Sequence, residues 1–217
     1  MSSYVIIGCG RFGSAVAKTI YSLGHEVLAI DMNMEIIQDI ADYVTQAVQA
    51  DATDEATLKS LGIRNYDVAV ISVASDIESS IMATIVVKEL GVPYVVCKAK
   101  TELQAKVLYK IGADRVIFPE RDMGVRLAHN LISKNVLEFV ELDPRYSIIE
   151  IIASDNWNNR TLSELDLRGK YGINIVAIKR GMNVNISPES EDMIHSKDIL
   201  VVIGEIKKIN KMSEENE

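Results

Sequence analysis

A glycine turn near the amino terminus constrains the fold of this chain more than any other feature. The turn, GCGRFG, runs from Gly8 to Gly13, with an apolar run before it and an amphipathic stretch after it. Between a strand and a helix, Gly8 permits a tight turn, Gly10 lets a phosphate approach the backbone, and Gly13 lets the helix pack against the sheet. Free N–H groups at the helix start then face an anion. The turn, including Arg11 and Phe12, therefore predicts a nucleotide-binding βαβ unit.

Apolar segments alternate with helical patterns from residue 4 to about residue 134. Most of the apolar segments are continuous runs of Val, Ile and Ala, which are typical of strands covered on both faces. Between two of them, Ile77, Ile81 and Ile85 recur at four-residue steps, with Asp76 as N-cap and Gly91 as the helix stop. The alternation predicts an α/β fold: a Rossmann-like, doubly wound parallel sheet over residues 1–134. The predicted strands are Tyr4–Gly8, Glu26–Ile30, Gln46–Gln49, Val68–Val73, Tyr94–Lys98 and Arg115–Phe118.

The pattern changes after about residue 135. Apolar and polar residues alternate around Asp143-Pro144-Arg145, which predicts an antiparallel hairpin. We therefore expect a smaller α+β domain over residues 135–217, joined to the first near Ser133–Val136 without a Pro/Gly/Ser linker. Its other predicted elements are a short helix near Leu162–Leu165, a strand at Ile173–Ile178, a turn at Arg180–Asn183 and a final strand at Ile199–Gly204.

Composition narrows the class of protein. The formal net charge of −8 disfavours nonspecific nucleic-acid binding, which needs a basic surface. No apolar run reaches the roughly 18 residues of a membrane span, and no basic segment precedes the first strand-like run, so we expect no signal peptide. Cys9 and Cys97 lie in core-like sequence without a CxxC motif. They are expected to be reduced, buried thiols of a cytoplasmic protein.

An acidic residue follows the second predicted strand. Asp31 comes directly after Ile30 and eighteen residues after Gly13, and Met32 lies beside it. A carboxylate at this position accepts hydrogen bonds from both ribose hydroxyls and repels a 2′-phosphate. We therefore expect an adenosine nucleotide without that phosphate: NAD(H), ATP, ADP or AMP.

Two other strand ends are expected at the same edge of the sheet. Asp51-Ala52-Thr53 follows the third strand, where the adenine edge would lie, although Thr53 or Asp54 is also a good helix cap. Val73-Ala74-Ser75 follows the fourth strand and would lie against the sugar or base. An ordinary strand end explains this last segment as well.

Charged residues at this edge bear on the phosphate chemistry. Arg11 stands where dehydrogenases usually have a small or apolar residue, and its guanidinium can fork onto a terminal phosphate. Glu120 comes just after the sixth strand, and a carboxylate beside a polyphosphate requires a cation between them, Mg²⁺ or another. Pairing with the helix dipole is the alternative role for Glu120. Lys98, at the end of the fifth strand, either adds positive charge to the site or lies on the surface.

Groups for catalysis are not brought together by this pattern. His25 precedes the second strand at the opposite edge, His129 lies within a helix, and His195 lies in the second domain. A hydride-transfer enzyme needs a proton-transfer group near its nicotinamide. We therefore expect the nucleotide to act as a signal, not a reagent, and the protein not to be an enzyme. A small NAD(H)-dependent oxidoreductase or redox sensor is the alternative.

Several motifs together resemble the RCK (regulator of potassium conductance) domains of the KtrA/TrkA group. In the first domain these are GCGRFG, AIDMN, ADATD, VVCKA and VIFPERDMG. Residues 136–217 resemble the C-terminal RCK domain through LSELDLRGKYGINIVAIKRG and SKDILVVIG. The resemblance thus covers the whole chain.

This resemblance implies a regulatory role in potassium transport. Family members form octameric rings of dimers on the cytoplasmic face of the membrane, beneath an integral-membrane channel subunit of the KtrB type. ATP or ADP binds at the glycine turn, and exchanging them changes the ring shape and gates ion flux. By position, Arg11 would reach the γ-phosphate of a neighbouring subunit's ATP, and Glu120 would help hold an intersubunit cation.

The resemblance also implies a second ligand for the C-terminal domain. Several relatives bind cyclic di-AMP across the dimer interface of this domain, which inactivates uptake. Strand core explains most of the matching positions equally well. These positions are Leu167, Arg168, Tyr171, Ile173, Ile175 and Pro188.

Overall fold

The computed structural model describes residues 1–73, 76–132, 136–143 and 145–215. The chain divides into two compact units, Met1–Arg121 and Asp122–Glu217. The predicted domain boundary after residue 134 stays a prediction, because residues 133–135 of the predicted junction lie outside the described residues. Pro144 of the predicted hairpin turn lies outside them as well.

The first unit is built on a six-stranded parallel sheet, which confirms the predicted fold class. The strand order is β3-β2-β1-β4-β5-β6. Two predicted strands are confirmed to the residue; the first differs by one residue at each end, and the other three differ by one or two residues at one end. The strands are β1 (Ser3–Ile7), β2 (Glu26–Asp31), β3 (Gln46–Gln49), β4 (Val68–Ile71), β5 (Tyr94–Lys98) and β6 (Arg115–Ile117).

Helices connect these parallel strands and cover the sheet. The buried residues form two apolar clusters, in agreement with strands that are covered on both faces. The helices are α1 (Arg11–Ser22), α2 (Met34–Ile40), α3 (Glu55–Ser60), α4 (Ile77–Glu89), α5 (Glu102–Lys110) and α6 (Pro119–Ile132), the last of which spans the division between the units.

The strand order reverses at β1, and this places the candidate site. β1 pairs with β2 on one side and with β4 on the other. Beyond their carboxyl ends, Gly8 N–H donates to the Ile30 carbonyl and Ser72 N–H donates to the Ile7 carbonyl, each at 2.8 Å. The crevice outside the carboxyl ends of such neighbouring strands is where open α/β sheets bind ligands.

Helix α4 exists as predicted, but only part of its isoleucine stripe reaches the core, since Ile81 packs against it. The Asp76 side chain caps the helix, and Gly91 follows it at φ +88°. Ile77 is 54% exposed, whereas Ile81 and Ile85 are only partly buried. Small side chains instead let the helix lie close to the sheet. The buried residues of α4 are Ser80, Ala83, Thr84, Val86 and Val87.

The second unit contains a five-stranded sheet of order β11-β10-β13-β8-β7 and a two-stranded sheet of β9 and β12. All pairings within the five-stranded sheet are antiparallel, which confirms the predicted α+β character. Its strands are β7 (Val136–Glu141), β8 (Tyr146–Ile152), β9 (Arg160–Thr161), β10 (Asn174–Arg180), β11 (Asn183–Asn185), β12 (Met193–Ile194) and β13 (Ile199–Glu205). Its helices are α7 (Leu162–Leu165), α8 (Leu167–Tyr171) and α9 (Ile206–Glu215).

Two helices of the second unit extend the predicted set. The predicted helix at Leu162–Leu165 is confirmed as α7, but α8 follows it at once. After the predicted final strand, α9 completes the core by burying Ile209 and Met212 completely. The apolar residues of α9 are few and are separated by Lys, Asn and Glu, so composition alone does not predict this helix.

Candidate functional site

The glycine turn is fixed by contacts with the end of β4. Gly8 has φ +85°, and a Cβ there would lie 2.9 Å from the Val73 backbone nitrogen. A Cβ on Gly13 would lie 2.0 Å from the Gly8 carbonyl oxygen and 2.5 Å from Ser72 Oγ. The fold of the chain itself therefore requires glycine at both positions.

Gly10 has a different environment, because among the residues the structure describes, its chain neighbours aside, no atom would lie within 4 Å of an added Cβ. Its φ of −63° is also accessible to other residues. Helix α1 begins at the next residue, and no side chain caps its start. An uncapped helix start beside open space fits an anionic ligand, since its backbone N–H groups can donate to phosphate oxygens.

Asp31 lies at the end of β2, directly beside this turn. Its Oδ2 accepts a hydrogen bond from the Cys9 N–H at 2.7 Å, and its Oδ1 accepts one from the Asn33 N–H at 2.9 Å. Each carboxylate oxygen keeps a further lone pair. The side chain is thus held in place by the protein and can still accept hydrogen bonds from a ribose.

The segments that follow β2 and β3 are tied together at the same edge. Gln49 Nε2 donates to the carbonyl of the exposed Met32 at 2.9 Å. Asp51 Oδ1 accepts from the N–H and hydroxyl of Thr53, at 2.8 and 2.7 Å, and Ala52 is buried. Of the two predicted caps of α3, the structure has Asp54 and not Thr53. The Thr53 side chain bonds to Asp51 and stays within the segment that follows β3.

Lys98 and Glu120 form an ion pair near the glycine turn. Lys98 Nζ donates to Glu120 Oε1, and it lies 5.6 Å from the centre of the Phe12 ring. The hydrogen bond from Lys98 is the largest cause that lowers the pKa of Glu120, so the carboxyl stays ionised at neutral pH. Lys98 is 7% exposed, which excludes the alternative that it is a surface lysine. For Glu120, the alternative was a role limited to the helix dipole, but its carboxylate also pairs with Lys98.

Arg11 opens helix α1 and is exposed. Among the described residues, no hydrogen bond or ion pair engages its guanidinium. A free guanidinium at the open end of the turn can bind a terminal phosphate in bidentate fashion. Two other predicted residues, Ala74 and Ser75, lie outside the described residues, whereas Val73 lies at the turn.

Three residues of the site escaped the sequence analysis. Ser72 is 7% exposed and its hydroxyl donates to the Gly8 carbonyl, so it locks the turn from β4. Asn33 caps α2, and Gln49 holds the Met32 carbonyl. The Asx-type spacing of Asn33 before α2 was a readable signal. The contacts of Ser72 and Gln49 join strands distant in sequence and have no local signature.

The two thiols lie in apolar surroundings. Burial, followed by the nearby Asp31 charge, raises the pKa of Cys9 to about 12. Burial is also the main reason why the pKa of Cys97 is raised to about 11. Both groups are therefore neutral thiols at physiological pH, as the sequence predicted for buried cysteines.

Each described histidine contacts residues of its own unit. His25 accepts from the Ser2 N–H at 3.4 Å, at the amino end of β1, and its ring packs edge-on against Tyr4. His195 lies in the second unit with Nδ1 3.1 Å from Asn159 Oδ1. The side chain of His129 lies outside the described residues.

The predicted cyclic di-AMP positions fall into two groups. Leu167 and Ile173 belong to the core of the second unit, and Tyr171 and Ile175 pack against that core. Arg168, on α8, is exposed, and the partly buried Pro188 lies between β11 and β12. Core packing thus accounts for the first four residues without a ligand.

Two general features limit the kinds of site the chain can form. Within the part of the chain that the structure describes, no group of three or more His, Cys, Asp or Glu residues is placed to hold a metal ion. Of the helices formed by those same residues, none has both the length and the apolar character needed to cross a bilayer.

Comparisons with known proteins place the chain in a family. Residues 4–119 match the TrkA-N domain and residues 146–216 match the TrkA-C domain. The chain is 45% identical to Ktr system potassium uptake protein C of Bacillus subtilis (strain 168), over 96% of this chain and 94% of that protein. It is 42% identical to Ktr system potassium uptake protein A of the same organism, over 98% and 96% of the two chains.

A solved structure supports the fold assignment. The RCK domain of GsuK superimposes with a TM-score of 0.68 at 15% identity, over 98% of this chain and 47% of that one. The domain matches and the two Bacillus subtilis relatives confirm the resemblance indicated by the sequence motifs. With a TrkA-N domain followed by a TrkA-C domain, the chain belongs to the family of Ktr system potassium uptake proteins.

Proposed function

We propose that this protein is the nucleotide-sensing regulatory subunit of a potassium-uptake system and is not an enzyme. Its membership of the Ktr family supports the role in potassium uptake. One observation supports the sensing of phosphates: an exposed Arg11 and the Lys98–Glu120 pair flank an open glycine turn. These groups fit ATP and ADP better than NAD(H), because only the former present a terminal phosphate.

The distinction between ATP and ADP follows from the charge of Arg11. A ligand shifts a conformational equilibrium only by its difference in affinity for the two states. A guanidinium that binds the γ-phosphate interacts with ATP and not with ADP. In the proposed assembly that phosphate belongs to a neighbouring subunit's ATP, so the contact reports the nucleotide to the whole assembly.

A cation completes the proposed site. Since the described residues offer no metal cluster of their own, Mg²⁺ or another cation would be held by Glu120 together with phosphate oxygens. Oxygen ligands of this kind, with several waters retained, are what Mg²⁺ prefers beside nucleotides. The cation would neutralise the repulsion between the Glu120 carboxylate and the γ-phosphate.

The alternative, an NAD(H)-dependent oxidoreductase or redox sensor, is less well supported. The pKa values of Cys9 and Cys97, raised to about 12 and about 11, leave almost no reactive thiolate at neutral pH. His25 lies at the amino end of β1, at the opposite edge of the sheet from the turn, so it could not act as a proton-transfer group there. A nucleotide assay decides the matter, since an oxidoreductase would bind NADH far more tightly than ATP.

The proposed assembly is a homo-oligomer, in full an octameric ring of dimers, that acts on a KtrB-type membrane channel subunit. This assignment extends the Ktr family membership, and it places the protein in the cytoplasm, peripheral to the inner face of the cell membrane. Exposed apolar residues on α6, namely Met123, Leu127 and Leu131, offer surface for contacts between copies.

The second unit would provide a separate inhibitory site for cyclic di-AMP at the interface between two copies. The residues proposed for it are the six positions named from the family resemblance. Arg168 is the group of this set best suited to a phosphate, because its guanidinium is exposed. Binding of labelled cyclic di-AMP to Arg168→Ala and to the unmodified protein tests the site.

Arg11→Ala tests whether the Arg11 guanidinium distinguishes ATP from ADP. ATP and ADP affinities are measured by isothermal titration calorimetry in Mg²⁺, with Arg64→Ala as the control because Arg64 is exposed beside the amino end of β4. We expect Arg11→Ala to abolish the preference for ATP over ADP while ADP affinity changes little. A charge-assisted phosphate contact of this kind is worth roughly tenfold in affinity or more.

Two outcomes would count against the proposal. Equal loss of ATP and ADP affinity in Arg11→Ala would show that Arg11 does not read the terminal phosphate. Tight NADH binding by the unmodified protein, with weak binding of both ATP and ADP, would favour the oxidoreductase.

A further inference from the structure

The two members of the Lys98–Glu120 pair differ sharply in exposure. The Lys98 side chain is 8% exposed, whereas the Glu120 side chain is 69% exposed. In other ion pairs of the first unit the two side chains are similarly exposed, as in Lys88–Asp114 at 27% and 33%. The buried ammonium at the end of β5 thus depends on a carboxylate that is free to move into solvent.

A buried ammonium needs an anion beside it. The charge on Lys98 has lost most of its hydration, and besides Glu120 its Nζ faces the ring of Phe12, whose centre is 5.6 Å away. An aromatic face replaces only a small part of the lost hydration. If Glu120 leaves, another anion must take its place.

A bound phosphate would be such an anion. Phe12 belongs to the glycine turn, so the Lys98 ammonium lies beside a side chain of that turn. A nucleotide phosphate placed there would bring negative charge close to Glu120 and compete with it for Lys98. The Coulomb repulsion between phosphate and carboxylate is relieved if Glu120 turns to a cation held by that phosphate.

We propose that Lys98 and Glu120 exchange partners when a nucleotide and a divalent cation bind together. Without a ligand, Glu120 neutralises Lys98; with both ligands, the phosphate neutralises Lys98 and Glu120 binds the cation. The inference rests on the proposed function and deepens it. The cation is needed because it provides a new partner for the displaced carboxylate, and this couples its binding to that of the nucleotide.

The exchange predicts that substitutions of Glu120 and of Lys98 have opposite effects on how much Mg²⁺ improves ATP affinity. In Glu120→Gln, no carboxylate competes for Lys98, so ATP should bind more tightly than to the unmodified protein when Mg²⁺ is absent. Adding Mg²⁺ should then improve the affinity little. In Lys98→Met the phosphate loses its cation but keeps its repulsion from Glu120, so binding without Mg²⁺ should weaken and the gain from Mg²⁺ should grow.

The experiment measures ATP and ADP affinities by calorimetry, in EDTA and in Mg²⁺, with adenosine as a ligand that lacks phosphate. Glu102→Gln is the matched control, because it makes the same change in another exposed carboxylate that pairs with a cation, Arg121. In the unmodified protein, Mg²⁺ should improve ATP affinity within the roughly 5- to 150-fold range typical of coupled ligands. Glu120→Gln should reduce that gain to less than about threefold, well below that range, and Lys98→Arg should retain it.

Adenosine affinity should not change in any of these variants, which separates the exchange from a general loss of structure. The proposal is overturned if Glu120→Gln shows the same Mg²⁺ gain as the unmodified protein, or an unaltered ATP affinity in EDTA. It is also overturned if Glu102→Gln loses the gain equally. If the unmodified protein binds adenosine nucleotides in none of these conditions, the proposed function itself fails.

Discussion

At the scale of single residues, Asp31 is the organising side chain of the site. Its carboxylate accepts N–H groups from the glycine turn and from the start of α2, and its own carbonyl accepts from Ala50 N–H at 3.0 Å, just after β3. One residue therefore positions three backbone segments at the edge where the nucleotide is proposed to bind. Its proposed contact with the ribose and its effect on the shape of the turn are for this reason linked.

Replacing Asp31 by Asn tests this double role. The amide nitrogen of Asn is a donor, and it would face either the Cys9 or the Asn33 N–H, which are donors too. We expect ADP and adenosine to bind about tenfold more weakly or worse, since each hydrogen bond to a charged group contributes ~1.5–3 kcal/mol. Calorimetry measures both affinities, with the exposed Asp39→Asn as control.

Adenosine is the decisive ligand in this test. It carries the ribose without phosphate, so its affinity does not depend on the phosphate contacts of the turn. An adenosine affinity that matched the unmodified protein would exclude Asp31 from ribose binding.

At the scale of elements, periodicity predicts where strands and helices lie better than it predicts which side they bury. The six strands of the parallel sheet were predictable because helices cover both their faces, which leaves continuous apolar runs. In α4, apolar residues occur all around the helix, so the spacing of Ile77, Ile81 and Ile85 could not identify the buried side. Close packing on the sheet selects small residues for that side, a tertiary effect invisible in local sequence.

In the candidate site, too, some residues could be predicted from the local sequence and others could not. Gly8, Gly13 and Asp31 were predictable because each holds a position that the strand–turn–helix motif prescribes. The link from Ser72 to Gly8 spans 64 residues of sequence, and no local pattern signals it. Contacts between neighbouring strand ends depend on the sheet order, which appears only in the folded structure.

Ser72 offers a test of how β4 supports the turn. In Ser72→Ala the Gly8 carbonyl loses its hydroxyl donor, and such a loss costs about 1 kcal/mol of unfolding free energy. We expect this destabilisation in urea unfolding, together with a severalfold weaker affinity for ADP, because the turn is less well held. Ser60→Ala is the control, since the exposed Ser60 hydroxyl donates to a carbonyl of its own helix.

The two measurements separate two roles for Ser72. Loss of stability without loss of ADP affinity would mean that Ser72 supports the fold alone. Unchanged stability and affinity would mean that its hydroxyl does not hold the turn.

At the scale of the whole molecule, exposed apolar surface indicates contacts that one chain cannot make. On α6, Met123, Leu127 and Leu131 follow one another at four-residue steps and are 59%, 54% and 75% exposed. This spacing places them along one side of the helix. An apolar stripe of this kind on a chain of net charge −8 is characteristic of a surface that another subunit covers.

Leu127→Glu tests whether this stripe joins copies of the chain. A carboxylate in the middle of an apolar interface loses its hydration without gaining a partner, so we expect the variant to have a smaller mass in solution than the unmodified protein. Light scattering after size-exclusion chromatography measures the mass with and without ATP. Leu23→Glu is the control, because Leu23 is 70% exposed at the end of α1, on a helix of the other unit, and the same change there should leave the mass unaltered. The stripe is not an interface if Leu127→Glu keeps the unmodified mass, and the homo-oligomer itself is refuted if the unmodified protein has the mass of one chain.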